Sequence, residues 1–441
     1  RWAGIASWVL ILVIILDQGY QLRPLQRYPV GEAMAILLLA LVLARLVLDA
    51  LGTPRAGPFF KTHWLELALL ALLILTPLTF WAIGFLLALR VLVRAGARLL
   101  TSPSGRTFLI GVTRSPARTI ATSFLGAIAG GTLLLTFPGA SAGGESAPFL
   151  TALFTSTSAV CVTGLIVVDT PTYWSTFGQW VILLLIQVGG LGIMSLSASA
   201  ALVIGRSFGA GSRGLLEEAY EETAKRDITK LLQFIVAFTF ITEIAGGLLL
   251  GLYWTRQMPL LTALYHGTFH SVSAFCNAGF STFSDNLAAW VSDPLVCIVV
   301  STLVLIGGIG FTVAMSLMAL ARDPLHPVLW WRRERTHTKL VVAVTAFLIL
   351  GGTIAYFFFD YENSLGGLPL GSKLLAAYFQ SVTSRTAGFN TVSLGAAAPI
   401  TATIVIVLMF IGGSPGGTAG GIKTTTLGVL ALSLRALLRG R

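Results

Sequence analysis

Residues 154–165 read FTSTSAVCVTGL, and two later stretches resemble them: FHSVSAFCNAGF at 269–280 and FQSVTSRTAGF at 379–389. Each stretch combines an aromatic first residue, small polar side chains and a glycine as its next-to-last residue. These glycines are 115 and 109 residues apart. Such similar stretches at nearly regular spacing predict an internal structural repeat.

A second landmark keeps step with the three glycines. Pairs of adjacent glycines follow Gly164, Gly279 and Gly388 by 25, 28 and 24 residues. The pairs are Gly189-Gly190, Gly307-Gly308 and Gly412-Gly413. Two landmarks in register over three units favour a repeat over chance similarity.

The chain around these landmarks is too apolar for a soluble protein. Of its 441 residues, 55% are hydrophobic and 11% are charged, against about 25% charged in an ordinary globular chain. Runs of about 20 apolar residues match the thickness of a bilayer, so we predict an all-α polytopic membrane protein. The predicted spans lie near 3–17, 33–50, 64–89, 119–137, 178–204, 231–253, 295–320, 340–359 and 400–438.

The charges divide the loops into two groups. Lys and Arg collect in 88–118, 205–230, 322–339 and at the C-terminus, which predicts that these parts are cytoplasmic. The net charge of +11 therefore reflects membrane topology, and no nucleic-acid partner is expected. Three semi-polar pieces lie between spans whose intervening loops are poor in Lys and Arg. They are 148–160, 261–275 and 373–385, and they are short enough to predict re-entrant helices.

Each repeat is thus predicted to contain a span, a re-entrant pore helix, an extended glycine-containing segment and a second span. Non-helical backbone survives at membrane depth only where protein buries it or it lines water. Several such units around one axis would point carbonyl oxygens at a central path, and rings of carbonyls replace the hydration shell of a cation. A packing motif of small residues is the alternative, but it would not need a polar half-helix before it.

These stretches resemble the superfamily of Trk, Ktr and HKT potassium transporters, nearest to the bacterial Ktr/Trk pore-forming membrane subunit. The resemblance covers about 115–441 and includes QVGGLG at 187–192, GGIGF at 307–311 and MFIGGSPGGTAGGIKTT at 409–425. It implies potassium uptake across the bacterial cytoplasmic (inner) membrane by a homodimer with a cytosolic nucleotide-binding regulatory subunit. The family has four repeats and three are visible here, so we expect a fragment that would not conduct alone.

Carried over by motif, the resemblance assigns the selectivity filter to three groups of backbone carbonyls. They are Val162-Thr163-Gly164, Asn277-Ala278-Gly279 and Thr386-Ala387-Gly388. A glycine at every visible filter position resembles the potassium-selective pattern, and the transported K⁺ is the one metal ion implied. Cys161 and Cys276 depart from the family, which more often has an oxygen-bearing side chain there.

The resemblance identifies the glycine-rich run inside the last predicted span as an intramembrane gating loop. The run comprises Gly412, Gly413, Ser414, Pro415, Gly416, Gly417, Thr418, Ala419, Gly420 and Gly421, with Lys423 at its end. Six glycines and a proline strongly disfavour a continuous helix there. A nucleotide-binding loop is excluded because Ile422 breaks the spacing that such loops need between glycine and lysine.

The predicted organisation has four parts. Residues 1–115 hold N-terminal helices and a basic loop, 116–210 the first repeat, 211–325 the second with a charged segment before it, and 326–441 the third with its broken second helix. No cofactor is expected, and no catalytic constellation that would indicate an enzyme is visible. An ion-coupled secondary transporter and a sodium-permeable member of the same superfamily stay open as alternatives.

Several residues keep two interpretations. Lys423 could act in the gate or pair with an acid, and Glu243 is expected to pair structurally rather than to bind ions. Arg385 is expected to form an orienting salt bridge behind the filter, because a bare cation in the path would repel cations. His266 and His270 are expected to cap or pack.

The outer acids and the cysteines are also ambiguous. The acids could attract cations to the mouth or be ordinary solvated loop residues. They are Glu145, Asp169, Asp285, Asp293, Asp360 and Glu362. Cys161, Cys276 and Cys297 show neither a disulfide nor a metal-binding spacing, so we expect them to be packing residues.

Overall fold

Thirteen α-helices make up most of the residues that the computed structural model describes, 116–207, 217–322 and 327–439. They are α1 (Pro116–Leu135), α2 (Phe149–Val160), α3 (Thr170–Tyr173), α4 (Thr176–Ser207), α5 (Glu217–Trp254), α6 (Leu260–Phe275), α7 (Pro294–Gly308), α8 (Phe311–Arg322), α9 (Pro327–Arg333), α10 (Thr336–Phe359), α11 (Leu370–Thr383), α12 (Pro399–Phe410) and α13 (Thr424–Leu438). No described residue belongs to a β-strand. The predicted all-α class is confirmed for this part of the chain.

Three of these helices are long and apolar enough to cross a membrane. The segments that meet these criteria of length and composition are Thr176–Ser195 of α4, Lys230–Trp254 of α5 and Thr336–Phe359, which is α10. The short helices α2, α6 and α11 occupy the three pieces whose length predicts that they do not span. The predicted N-terminal part, residues 1–115 with its three apolar segments, lies outside the described residues.

The predicted span near 295–320 is not continuous. It consists of α7 and α8, which meet at a bend of 118° after Gly308. Gly310 at the bend has a φ of 85°, a conformation that costs glycine little and other residues more. A side chain at Gly310 would collide with the carbonyl oxygen of Pro415. The apolar composition of the run hid this break from the sequence analysis.

The last predicted span is broken where its glycines predict. α12 ends at Phe410, α13 begins at Thr424, and residues 411–423 between them are not helical. A β-bridge between Ile411 and Ile422 closes this segment into a loop. We call residues 411–423 the intramembrane loop, after the position predicted for them from the sequence.

The described chain separates into two compact units. The smaller one holds 116–125, 133–152 and 173–180, and the remaining described residues form the larger one. Within the smaller unit the Ala142 N–H donates to the Tyr173 carbonyl at 2.9 Å and the Ser175 N–H to that of Ala140 at 2.9 Å. These bonds hold the loop after α1 against the start of α4.

In the larger unit, glycines let α5 and α6 pack closely. A methyl group on Gly267 of α6 would lie 2.5 Å from both the Gly247 carbonyl oxygen and the Gly251 nitrogen of α5. Small residues at such a crossing allow two helix backbones to approach each other inside a membrane. α6 is thereby fixed against a membrane-spanning helix although it is too short to span by itself.

The loop between α10 and α11 is organised by one buried acid. Asp360 is fully buried, and its carboxylate accepts the backbone N–H of Ala398 at 2.8 Å and that of Ser364 at 3.1 Å. The Ser364 hydroxyl donates to it as well. Asp360 therefore joins the end of α10 to the start of α12, which makes it a structural acid rather than a cation-attracting one.

We expect Asp360→Ala to lower the free energy of unfolding of the detergent-solubilised protein by about 3 kcal/mol, because it leaves buried donors without an acceptor. Thermal unfolding followed by tryptophan fluorescence measures the effect. Glu362→Ala is the matched control, since Glu362 is an exposed acid two residues away. Equal melting temperatures for the two variants would contradict the assigned role of Asp360.

Candidate ion pathway

The segments that follow α2, α6 and α11 share an unusual backbone. In each, the glycine and the residue two positions before it both have positive φ. The values are 54° and 77° for Val162 and Gly164, 60° and 72° for Asn277 and Gly279, and 92° and 82° for Thr386 and Gly388. Positive φ is costly for β-branched residues such as Val and Thr. The same left-handed conformation therefore recurs three times at matching positions, and it is strained at Val162 and Thr386.

The three segments lie side by side. A side-chain carbon on Gly164 would collide with the carbonyl oxygen of Ala278, and one on Gly279 would collide with that of Ala387. One on Gly388 would lie 3.8 Å from the Cα atom of Gly279. The glycines that the sequence marks as landmarks are thus neighbours in space, and only glycine fits at two of the three positions.

A cavity of about 460 Å³ opens over the three glycines. Among its lining residues are Asp169, Asp285 and Asn286. Asp169 accepts hydrogen bonds from the Thr172 hydroxyl at 2.6 Å and the Ser284 hydroxyl at 2.9 Å, which ties two of the loops together. Two of the predicted mouth acids therefore do face a water-accessible space next to the glycines.

Each short helix is anchored to the preceding long helix in the same way. A serine hydroxyl donates to a backbone carbonyl, and the glycine three residues beyond that carbonyl packs against the serine. The bonds run from Ser156 to Ile128 (2.8 Å), from Ser271 to Glu243 (2.7 Å) and from Ser381 to Ile349 (2.8 Å), and the glycines are Gly131, Gly246 and Gly352. This contact was not predicted from the sequence, although the serines precede the landmark glycines by 8, 8 and 7 residues.

The glycine pairs contact the short helices in two of the three predicted repeats. A side-chain carbon on Gly189 would collide with the Val160 carbonyl oxygen, and one on Gly307 with that of Phe275. In the third predicted repeat, Gly412 instead approaches Gly420 within the intramembrane loop. The third repeat thus differs from the other two at the point where its second helix is broken.

The intramembrane loop is held by its own hydrogen bonds. The Gly412 N–H donates to the Ile422 carbonyl at 3.1 Å, and the Ile422 N–H donates to that of Phe410 at 3.0 Å. The hydroxyls of Ser414 and Thr424 are 2.7 Å apart. These bonds give the glycine-rich run a defined conformation.

The loop also contacts residues of the second predicted repeat. The backbone N–H of Ser414 donates to the Gly308 carbonyl at 2.8 Å, and that of Thr418 to the Gly307 carbonyl at 2.9 Å. The Thr418 hydroxyl donates to the Phe275 carbonyl at 3.0 Å and accepts from the Asn277 amide nitrogen at 2.9 Å. Thr418 therefore connects the loop directly to the segment that contains Gly279.

Comparison with known proteins identifies the family. The family model TrkH, described as a cation transport protein, matches residues 111–440. The chain belongs to this family. The resemblance to Trk and Ktr proteins, and its extent along the chain, are thereby confirmed.

Among relatives of this TrkH-family chain are two proteins named Ktr system potassium uptake protein B. The one from Vibrio alginolyticus is 38% identical over 324 residues, which cover 73% of this chain and 70% of the relative. The one from Bacillus subtilis (strain 168) is 37% identical over 329 residues, 74% and 72% of the two chains. The potassium/sodium uptake protein NtpJ of Enterococcus hirae is 34% identical over 328 residues, 74% and 71%.

A solved structure shows the same fold. The crystal structure of the potassium transporter TrkH from Vibrio parahaemolyticus aligns with a TM-score of 0.54 at 22% identity. The alignment covers 93% of this chain and 76% of that one. The TrkH-like fold of this family member is therefore shown independently of the sequence motifs.

In this TrkH-family protein, the basic side chains of Arg385 and Lys423 both donate hydrogen bonds to carbonyls of the intramembrane loop. Arg385 is buried, and its Nη2 atom donates to the Gly412 carbonyl at 3.2 Å, but it forms no ion pair with a described residue. The salt bridge predicted for Arg385 is therefore wrong for the described part of the chain, because a loop carbonyl takes the place of the acid. The half-buried Lys423 donates to the Ala419 carbonyl at 2.7 Å.

The two histidines hold the chain that leaves the second segment. His270 is fully buried against the ring of Phe283, and its Nε2 atom lies 2.9 Å from the Ser281 hydroxyl. The Nδ1 atom of His266 lies 2.6 Å from the Thr282 hydroxyl. The predicted packing and capping role agrees with these contacts.

Glu243 and two of the cysteines are buried and hydrogen-bonded, whereas the third cysteine is exposed. The buried Glu243 carboxylate lies 3.7 Å from the thiol of Cys276, which also packs against Gly190. Cys297 is buried and donates to the Trp290 carbonyl at 3.4 Å. Cys161 is exposed, so the predicted packing role is wrong for it. It directly precedes the strained Val162, where the chain leaves α2.

Proposed function

We propose that this protein forms the pore of a potassium uptake system, with a selectivity filter built from backbone carbonyls. The filter residues are Val162-Thr163-Gly164, Asn277-Ala278-Gly279 and Thr386-Ala387-Gly388. The observation that carries the proposal is the pair of positive φ angles in each of three adjacent segments. Strain that recurs at matching positions is expected at a functional site, where surrounding structure must hold it in place.

The mechanism follows from this backbone. Residues of left-handed conformation that alternate with residues of negative φ can turn successive carbonyl oxygens toward one side of a segment, which is the arrangement that a carbonyl-lined filter requires. Oxygens aligned in this way on several segments around an axis can replace the water shell of K⁺. Asp169 and Asp285 would raise the local cation concentration in the 460 Å³ cavity before the filter. The predicted repeat organisation and pore helices form part of the same proposal.

We propose that residues 412–421, with Lys423, form the gate below the filter. The loop belongs to the third predicted repeat, but it contacts Gly307, Gly308 and Phe275 of the second. Its Thr418 side chain also lies 3.7 Å from the Cβ position of Gly190 in the first repeat. A segment that blocks a central path must touch several of the surrounding units. Its glycines would allow it to switch to an open arrangement.

The proposal extends to the setting of the protein. We infer a bacterial cytoplasmic membrane, a homodimer, and a cytosolic nucleotide-binding regulatory subunit, since the chain resembles Ktr and Trk membrane subunits. The four-part division at 115, 210 and 325 remains a prediction. A sodium-permeable pore is a second candidate, because one relative is named a potassium/sodium uptake protein.

Tracer flux in proteoliposomes that contain the full-length protein tests the function. We expect K⁺ or Rb⁺ influx whose reversal potential follows the K⁺ gradient and does not change with an imposed proton or sodium gradient. Empty liposomes are the control. A reversal potential that shifts with a proton or sodium gradient would identify a coupled transporter instead, and equal K⁺ and Na⁺ flux would identify the sodium-permeable candidate.

A further inference from the structure

A small cavity lies between the proposed filter and the intramembrane loop. Its volume is about 10 Å³, and Gly413 and Ala419 of the loop form part of its wall. Three polar residues from different elements also line it: Asn277, Thr345 of α10 and Arg385. A volume of this size holds one water molecule if polar groups surround it.

Each of the three polar residues has a buried side-chain atom without a hydrogen-bond partner. The atoms are Asn277 Oδ1, Thr345 Oγ1 and Arg385 Nε. The exposed fractions of these residues are 1%, 7% and 7%. Buried polar atoms are almost always hydrogen-bonded in folded proteins. Three exceptions that line the same cavity therefore indicate a shared partner.

The orientation of the Asn277 amide is fixed by its other bonds. Its nitrogen donates to the Thr418 hydroxyl at 2.9 Å and faces the carbonyls of Phe275 and Val304 at 3.3 Å. All of these are acceptors, so the nitrogen must point toward them. The oxygen is then free to accept a bond from a group inside the cavity.

We infer that the cavity binds one structural water molecule. The water donates to Asn277 Oδ1, accepts from the Arg385 Nε–H, and completes its bonds with the Thr345 hydroxyl, which can donate or accept. A cation is disfavoured by the adjacent guanidinium, and an anion by the Asn277 oxygen. About three bonds is the usual number for a buried water.

The water joins two residues that already hold the intramembrane loop. Arg385 binds the Gly412 carbonyl near the start of the loop, and Asn277 binds Thr418 near its middle. With the water between them, the proposed filter segments and two points of the loop form one connected polar network, to which α10 contributes Thr345. The network stabilises the docked loop, an inference that rests on the proposed gating function.

The water itself is tested by density. A map of the full-length protein that resolves ordered waters should show a peak within hydrogen-bonding distance of all three atoms. Thr345→Val should lose the peak. Thr353→Val is the matched control, because Thr353 lies on the same helix and its hydroxyl bonds only to the Ile349 carbonyl. A wild-type map that shows other buried waters but no peak here overturns the inference.

The link to the loop is tested by flux without the regulatory subunit. Thr345→Val should raise this flux roughly fivefold, the shift that loss of one ordinary hydrogen bond produces. Thr345→Ser should restore the wild-type flux, and Thr353→Val should not change it. Thr345→Ala replaces the valine variant if the latter does not assemble. Equal flux in the Thr345 and Thr353 variants would overturn the link.

The two failures can be told apart. If shortening the intramembrane loop leaves flux unchanged, the gating function is wrong. The density peak and its loss in Thr345→Val would still establish the water site.

Discussion

Gly279→Ser should nearly abolish K⁺ flux through the full-length protein, whereas Gly388→Ser should leave a conducting protein with weaker discrimination of K⁺ against Na⁺. A side chain at 279 collides with the Ala387 carbonyl, while at 388 the nearest atom is 3.8 Å away. Both substitutions carry the left-handed penalty of about 1–2 kcal/mol. Gly279→Ser adds about 1–3 kcal/mol for overpacking, and 1.4 kcal/mol corresponds to about a tenfold effect.

Gly164→Ser should resemble Gly279→Ser, because its side chain would collide with the Ala278 carbonyl. Gly367→Ser is the matched control. Gly367 also has a positive φ, 76°, but no atom lies within 4 Å of its Cβ position. The control thus measures the backbone penalty alone.

Tracer flux with competing Na⁺, normalised to the amount of assembled protein, measures these effects. Wild-type flux and selectivity in Gly279→Ser would show that the three segments do not form the filter. A loss in Gly367→Ser as large as in Gly279→Ser would attribute the effect to backbone strain in general.

The sequence predicted the elements that obey short-range rules. Polar pieces of 13–15 residues predicted the short helices α2, α6 and α11, because their length and polarity exclude a span. The glycine-rich run predicted the break between α12 and α13, since glycine and proline disfavour helix wherever they cluster. The landmark glycines identified positions that turned out to be neighbours in space.

Other features depend on contacts that no local pattern encodes. The bend between α7 and α8 lies in a uniformly apolar run. Only the close contact of Gly310 with Pro415 of the intramembrane loop explains it. Val162 and Thr386 have left-handed backbone although their β-branched side chains disfavour it, so propensity argued against the observed conformation. The bond between Asn277 and Thr418 joins residues 141 positions apart.

Arg385 shows how charge arguments from sequence can mislead. A buried guanidinium needs hydrogen-bond acceptors, and an acid is the usual expectation. In this chain a carbonyl of the intramembrane loop accepts instead. A sequence does not indicate which backbone carbonyl will accept such a hydrogen bond, because every residue has one.

Shortening the intramembrane loop within 413–420 should raise K⁺ flux more than tenfold in the absence of the regulatory subunit. Among the described residues, five hydrogen bonds join the loop to the second repeat. The N–H groups of Ser414 and Thr418 donate to Gly308 and Gly307, the Phe311 N–H donates to Gly416, and the Thr418 hydroxyl bonds to Phe275 and Asn277. At about 1 kcal/mol each, they exceed the 1.4 kcal/mol that a tenfold shift requires. The dependence of flux on the regulatory subunit should weaken in parallel.

A graded pair of substitutions separates docking from loop structure. Thr418→Val removes both side-chain bonds to the second repeat and should raise unregulated flux, although less than the deletion does. Ser414→Ala is the control, because the Ser414 hydroxyl bonds to Thr424 of α13 and not to the second repeat. If the shortened protein assembles but keeps wild-type flux and regulation, residues 411–423 are a structural kink, and the gate must be sought elsewhere along the path.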